Sequence, residues 1–392
     1  MKMKLQESDK GVVIIDKHAI SYGLIRSIAE FEIPIVLIYF ETLSICRFSK
    51  YISKAIRASF VEPEDIPTQL IEISKAHALT NYLLIPCEDI VLEQCSKNQN
   101  VLSKYFVTSF PEWSTLSIYL NKRLSYHLVE KLKIPFPQIF HIDRFGESQP
   151  SFGKIPFPVI VKPDYNYYFL QKHKAKSILC DNVQSLLENI QERSSEKYNL
   201  LVQRFIKGGT DVLYSFGGVS INGKIIRGLS YKRLRQHPKD FGTTTSFEIY
   251  EVPILRKYSE FIIQANHYTG PFEIEYMFDK EIEKYVFIEI NPRFWGGHTI
   301  FNASGNDIIS VLINNFLDIG VKPNNNKEWD SWQHILTDFF IVFTKNRNSH
   351  SIKHFFSSLS KSWHPIFNRK DILPFIVEII KSPIEYLERR KS

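Results

Sequence analysis

The period of the apolar pattern changes several times along this chain. Residues 11–16 open with a short continuous apolar run, a helical pattern follows as far as Phe31, and residues 33–40 are an eight-residue apolar run of the kind a fully buried strand needs. Residues 82–86 and 106–110 read as two further strands, with helical stretches before and between. Strands alternating with helices predict a parallel sheet, so an α/β domain is expected over about 1–115. No Gly-x-Gly-x-x-Gly follows the first strand, which argues against a dinucleotide site there. Glu88 and Asp89 fall at the carboxyl edge of such a sheet, as a ligand site or an ordinary helix start.

The middle of the chain alternates differently. Leu124, Leu128 and Leu132 recur every four residues, Asn121 is a good N-cap, and Ile134-Pro135-Phe136-Pro137 stops the pattern, which predicts a helix over 121–133. Lys122 and Arg123 then occupy its first turn, where cations oppose the helix dipole unless they face an anion. Residues 157–162 form a strand closed by Pro163, and residues 200–206 form another, followed by Lys207-Gly208-Gly209-Thr210-Asp211.

Two runs near residue 280 alternate with period 2. One buries Phe272, Ile274, Tyr276 and Phe278; the other buries Val286, Ile288 and Ile290; polar residues 280–284 make the hairpin loop. If Asp279 opposes Tyr285, Glu275 opposes Glu289 and Glu273 opposes Asn291, all on one face. Three carboxylates and an amide with no cation among them would repel. Either the face is simply solvated, or a divalent metal joins it, and all-oxygen ligands suit magnesium with substrate phosphates. The Asn-Pro-Arg ending puts Arg293 beside that site, where its planar fork suits phosphate oxygens.

Composition narrows the class. At 392 residues the chain is long enough for two or three domains, and 44% hydrophobic with 23% charged residues is ordinary for a soluble enzyme. Cys46, Cys87, Cys95 and Cys180 lack metal-ligand spacing and read as buried thiols in a reducing compartment. Lys2 and Lys4 precede an apolar run too short for a signal peptide, and no apolar stretch is long enough to span a bilayer. A cytoplasmic protein is expected. The net charge of +7 is compatible with anionic substrates or a membrane surface.

Glu289-Ile290-Asn291-Pro292-Arg293, with Glu275 upstream, resembles the carboxyl-terminal signature of the ATP-grasp superfamily, its carboxylate–amine ligase branch in particular. The resemblance implies a Rossmann-like domain at 1–115, an ATP-grasp module at 116–325 divided at residue 200, and a helical extension at 326–392. It implies that Glu275, Glu289 and Asn291 hold Mg2+ (or Mn2+) and that Arg293 acts in catalysis. Asn121-Lys122 looks like the module's "Asp-Lys" entry, with Asn in place of the acid, and Lys122 would meet ATP phosphates. Residues 157–163 match "Pro-x-(Val/Ile)-x-Lys-Pro", so Lys162 would contact the α- and β-phosphates. Gln203, Phe205 and Ile206 would frame adenine, Gln203 standing where many relatives have Glu, and Asp211 would hold ribose. Lys232, Arg233 and Arg235, followed by a flexible Phe241-Gly242-Thr243-Thr244-Thr245 loop, resemble the branch's "Lys-x-Arg-Gln, spacer, Phe-Gly-Thr" segment; Arg233 and Arg235 would neutralise the transferring phosphoryl group. One stretch departs from the family: residues 164–176 have no glycine where relatives carry a glycine-rich phosphate cover, and Lys172, Lys174 and Lys176 are its candidate replacements.

The implied reaction joins a small-molecule carboxylate to an amine or thiol through an acyl phosphate, releasing ADP and phosphate, with no nucleic-acid partner. An ATP-binding protein without turnover, in a cell-surface or secondary-metabolite pathway, is the alternative. Oligomeric state stays open, with a homodimer among the options. From Trp329 onward aromatic residues mix with Lys and Arg, and residues 333–392 hold ten basic against five acidic side chains. This tail either packs on the module or makes a peripheral contact with a membrane or a carrier.

Overall fold

The structure, a computed structural model, describes residues 10–41, 43–140, 155–238, 241–345 and 349–391. Lys2, Lys4 and two residues of the basic segment, 239 and 240, lie outside them. Strands β1 (Gly11–Ile15), β2 (Ile35–Tyr39), β3 (Lys54–Arg57), β4 (Tyr82–Pro86) and β5 (Val107–Thr108) form a parallel sheet in the order β3-β2-β1-β4-β5. Val13 and Ile15 of β1 join one apolar core, and Val12 and Ile14 join another on the opposite face. Burial on both faces is why this strand is continuously apolar. The strand expected at 106–110 shrinks to two residues, and Phe106 and Phe110 are buried as core side chains.

Two antiparallel sheets follow. Strands β6 (Ile139–Phe140), β7 (Val159–Pro163), β8 (Ile178–Cys180) and β9 (Leu200–Arg204) pair in the order β6-β9-β7-β8. Strands β10 (Leu213–Ile221), β11 (Lys224–His237), β12 (Thr243–Ile249), β13 (Gly270–Asp279), β14 (Lys284–Asn291) and β15 (Ser331–Gln333) pair in the order β14-β13-β10-β11-β12-β15. Because β9 pairs with β7 from Pro163↔Leu200 to Val159↔Arg204, the first of these sheets runs past residue 200, and the second begins at Leu213. The expected boundary would have cut a ladder.

Three local readings change. Asn121 caps the helix Lys122–Lys131, its side chain accepting from the Leu124 amide at 3.0 Å, a contact worth about 1 kcal/mol. The leucine row is not its buried face: Leu124 is exposed, whereas Lys122, Ser125, Tyr126 and Val129 are buried. The glycine-free stretch after Lys162 is no open loop, since Asn166–His173 is helical. Thr243, Thr244 and Thr245 lie in β12, so most of the expected hydroxyl-rich loop is strand.

The tail is bound into the molecule. It adds β15 to the edge of the six-stranded sheet, with Phe247 and Trp332 stacked at 5.1 Å between ring centroids. Buried Asp371 meets the parallel-sheet domain, accepting from the Ser49 hydroxyl at 2.5 Å and the Lys50 amide at 3.1 Å.

Candidate active site

The acidic row forms with the expected partners by an unexpected route. Glu275 opposes Glu289 and Glu273 opposes Asn291, yet Asp279 pairs with Lys284, not Tyr285. A bulge reconciles the two: Tyr276 opposes Phe287 while Glu275 opposes Glu289, which leaves Ile288 as the extra residue. Phe287, not Ile288, is therefore the fully buried side chain, and the Ile288 carbonyl lies 2.7 Å from the Tyr126 hydroxyl.

The central strand of this face is built from small residues. On β10, Ser215 lies between Tyr231 and Glu275, and Gly217 opposes Glu273. Longer side chains reach across them. Arg233 of β11 pairs with Glu275 of β13 at 2.6 Å, and the Tyr231 hydroxyl donates to Glu273. Gly217 also seats Trp295, whose ring would be 2.3 Å from an added Cβ. Asn291 completes the row by donating to Glu273 at 3.0 Å.

The expectation of a face without cations is thus corrected, because the cations come from other strands and a helix. Lys122 Nζ lies 3.6 Å from Glu289 Oε2 and donates to Asn166 Oδ1 at 2.8 Å. Lys162, at the end of β7, donates to the Tyr126 hydroxyl at 2.8 Å. That hydroxyl is also 2.9 Å from Gln203 Oε1, so one phenol links the residues expected to meet phosphate and adenine. Burial, with Lys122 adding to it, lowers the Lys162 pKa to about 7 against the pull of Glu289 and Glu275. Burial raises Glu289, but Lys122, Lys162, Lys176 and Arg233 together outweigh it and hold this carboxyl below its ordinary value. Burial and neighbouring Glu275 push Glu273 up to about 7 despite Arg233. Among the described residues no group of three or more His, Cys, Asp or Glu side chains is arranged to hold a metal ion. Glu273 is turned to Tyr231 and Asn291, which leaves two carboxylates on the row.

Other expected site residues fall at varied distances from this centre. Arg233 faces the acidic row. Arg235 does not: it grips Asp338 of the tail through Nε and a terminal nitrogen, both at 2.6 Å, and meets His354 at 2.8 Å. Arg293 grips Asp89, at the start of the helix Asp89–Lys97, instead of standing free beside Glu289. Burial opposes its charge, but Asp89 outweighs this and raises the guanidinium pKa. Gln203 and Ile206 are buried and Phe205 is half-buried; Asp211 is exposed and paired with Lys280 at 2.7 Å. Sequence reasoning missed Tyr126 and Tyr231, and it placed Asp89 at the sheet edge without its partner Arg293. Tyr126 lies one helical turn from Lys122, a signal hidden by the more regular leucines. Ser215 and Gly217 at period 2 were the readable hint that a face is crossed from both sides.

Comparison with known proteins agrees with this geometry. The family model described as carbamoyl-phosphate synthase L chain, ATP binding domain, matches residues 245–315, which include both strands of the acidic row. D-aspartate ligase of Enterococcus faecium is 25% identical over 293 residues, 69% of this chain and 68% of that one. The C-terminal section of the carbamoyl phosphate synthase large chain of Methanopyrus kandleri is 25% identical over 178 residues, 42% of this chain but only 31% of that section. In structure, N5-carboxyaminoimidazole synthetase from Staphylococcus aureus, solved with ADP, superposes with a TM-score of 0.65 at 13% identity over 88% of this chain and 87% of that one. Fold, signature and matches together make the chain similar to the ATP-grasp superfamily, and the sequence matches support the resemblance to its carboxylate–amine ligase branch.

Proposed function

We propose that this chain is an ATP-dependent ligase that activates a carboxylate as an acyl phosphate and joins it to an amine or a thiol. The observation that carries this reading is the mixed row in which Glu275 and Glu289 face Arg233, Lys122 and Lys162 across small β10 residues. Carboxylates that already balance cations can exchange them for a metal, freeing the cations for phosphate oxygens. Glu275, Glu289 and Asn291 are an all-oxygen donor set that fits Mg2+ or Mn2+. MgATP would supply the phosphoryl group, and this chain's residues would position and neutralise it. Lys122 and Lys162 suit the phosphates, Gln203, Phe205 and Ile206 the base, and Asp211 the ribose once it leaves Lys280. Arg233 would face the transferring group, and Arg293 would join it only by loosening Asp89. The partition into a Rossmann-like domain, an ATP-grasp module and a helical tail belongs to the same reading, supported by the three sheets.

One observation favours a second reading, nucleotide binding without turnover. The stretch that carries glycine in relatives is helical here, and its Asn166 holds Lys122. ADP release with paired panels of carboxylic acids and amines separates the two. The ligase reading expects release that needs both partners and is lost in Glu289→Gln. Nucleotide binding with no release under any pair would leave the second reading standing.

A further inference from the structure

Over its described side chains, the start of the helix Leu373–Lys391 turns its two charges inward and a row of apolar residues outward. Glu378 and Lys381 are only 4% and 8% exposed, whereas Ile372, Leu373, Ile376, Ile379 and Ile380 are 39% to 62% exposed. Spacings of three, four and seven residues put these apolar side chains on one face. The orientation is held in place. Glu378 lies 2.7 Å from His18 Nε2, and Lys381 Nζ lies 2.8 Å from Glu41 Oε2, both on the parallel-sheet domain. Asp371, just before the helix, is anchored to Tyr22, Ser49 and Lys50. Rotating the isoleucines inward would break all of these contacts.

Charge beside this face is mainly basic. Among the tail acids with described side chains Asp338, Asp371 and Glu378 are buried, Asp330 is exposed, and the exposed Glu41 beside the helix is taken up by Lys381. Lys353, Lys361, Arg369 and Lys370 are exposed, the last two separated from Ile372 and Leu373 by the buried Asp371. The outer surface of the tail is therefore basic and apolar together, the combination that an anionic lipid surface attracts.

We propose that this face docks on an anionic bilayer surface, with the helix lying in the interface, its isoleucines in the headgroup boundary and Arg369 and Lys370 on phosphate headgroups. Among the described residues no helix is long and apolar enough to cross a membrane. A second copy of the chain fits less well, because a symmetric pairing of the two faces would bring like basic charges together. The proposal does not depend on the ligase reading.

Co-sedimentation of the full chain with vesicles tests it. The protein is expected to pellet with phosphatidylglycerol–phosphatidylethanolamine vesicles, to stay in solution with phosphatidylcholine vesicles, and to be released by salt. Ile376→Ser/Ile380→Ser and, separately, Arg369→Glu/Lys370→Glu should each weaken binding at least about tenfold, with unchanged thermal melting and nucleotide binding. Should the isoleucine variant fail to fold, the charge-reversed one carries the test. Absence of pelleting with the anionic vesicles, or equal pelleting of the folded variants, would overturn the proposal. So would a dimer that the isoleucine substitutions dissolve in a protein that ignores vesicles.

Discussion

Arg233 and Arg235 stand two residues apart on β11, both largely buried and both 2.6 Å from a carboxylate. By residue type and spacing they are equivalent. Their partners make them different. Arg233 crosses the small residues of β10 to Glu275, whose side chain keeps 19% of its exposure, in a row that other cations also face. Arg235 lies past a register shift and meets Asp338, fully buried and also bonded by Thr245 and Gln333. On the proposed reading, one guanidinium belongs to the site, where its partner can still be exchanged; the other, on a carboxylate with both oxygens occupied, locks sheet to tail.

The sharpest way to break this comparison is to delete each arginine. Arg235→Ala leaves Asp338 buried and under-partnered, and should lower the unfolding free energy by about 3–5 kcal/mol. Arg233→Ala should cost less, because Glu275 can still reach water. Denaturant midpoints of the two variants check this, and a reversed order would remove the distinction.

Activity should split the other way. In a ligase assay, Arg233→Ala and Glu289→Gln should each lower ADP formation by roughly 10²–10³-fold, the usual effect of losing an electrostatic stabiliser. Glu289→Gln should also lower the melting temperature of the nucleotide-free protein, since Lys122, Lys162 and Lys176 lose the charge they surround. Unchanged turnover in Glu289→Gln would remove the acidic row from the site.

Nucleotide affinity tests the lysines beyond the helix Asn166–His173. Changing Lys172, Lys174 and Lys176 to Ala should weaken ATP binding by about ten- to a hundredfold, as loss of a charge-assisted contact worth roughly 1.5–3 kcal/mol does. Lys176 should account for most of it, because it is the one whose charge is felt at Glu289. Calorimetric titration of the triple and single variants would show this, and normal affinity in the triple variant would strengthen the non-turnover reading.

The smallest expected effect is a proton. Lys162 has its pKa lowered to about 7 from 10.5, so above pH 7 the folded protein binds fewer protons there than the unfolded chain. Its burial therefore lowers stability fully below pH 7, and that cost fades as pH rises toward the ordinary lysine value. Nucleotide phosphates should restore the charge. Binding at pH 8 should then take up as much as about one proton, seen as a dependence of binding heat on buffer ionisation enthalpy. Lys162→Met should abolish the uptake.

How much could be read beforehand differs from element to element. The parallel sheet was legible because burial on both faces demands continuous apolar runs such as Val12–Val13–Ile14–Ile15. The acidic hairpin was legible because Glu275, Glu289 and Asn291 alternate with apolar residues on paired strands. The bulge was not: an extra residue at Ile288 depends on how Tyr126 and Pro135 meet β14, through the Ile288 carbonyl and the Phe287 amide. The boundary at residue 200 failed because β9 reads the same whichever sheet it joins.

Local chemistry, then, was determined by the sequence alone: element types, the Asn121 cap, the acidic row and the list of cations available to meet it. These follow from short-range periodicity and side-chain type. Which cation meets which carboxylate was decided only by tertiary structure. Arg233 with Glu275, Arg235 with Asp338, Arg293 with Asp89 and Glu378 with His18 join residues 42, 103, 204 and 360 positions apart. Charge is long-ranged and carries no register, so alternation along one strand cannot say what stands across the fold. The outward-facing isoleucines of the last helix have the same origin. The contacts of Glu378 with His18 and of Lys381 with Glu41, far apart in the sequence, chose which face would be turned to solvent.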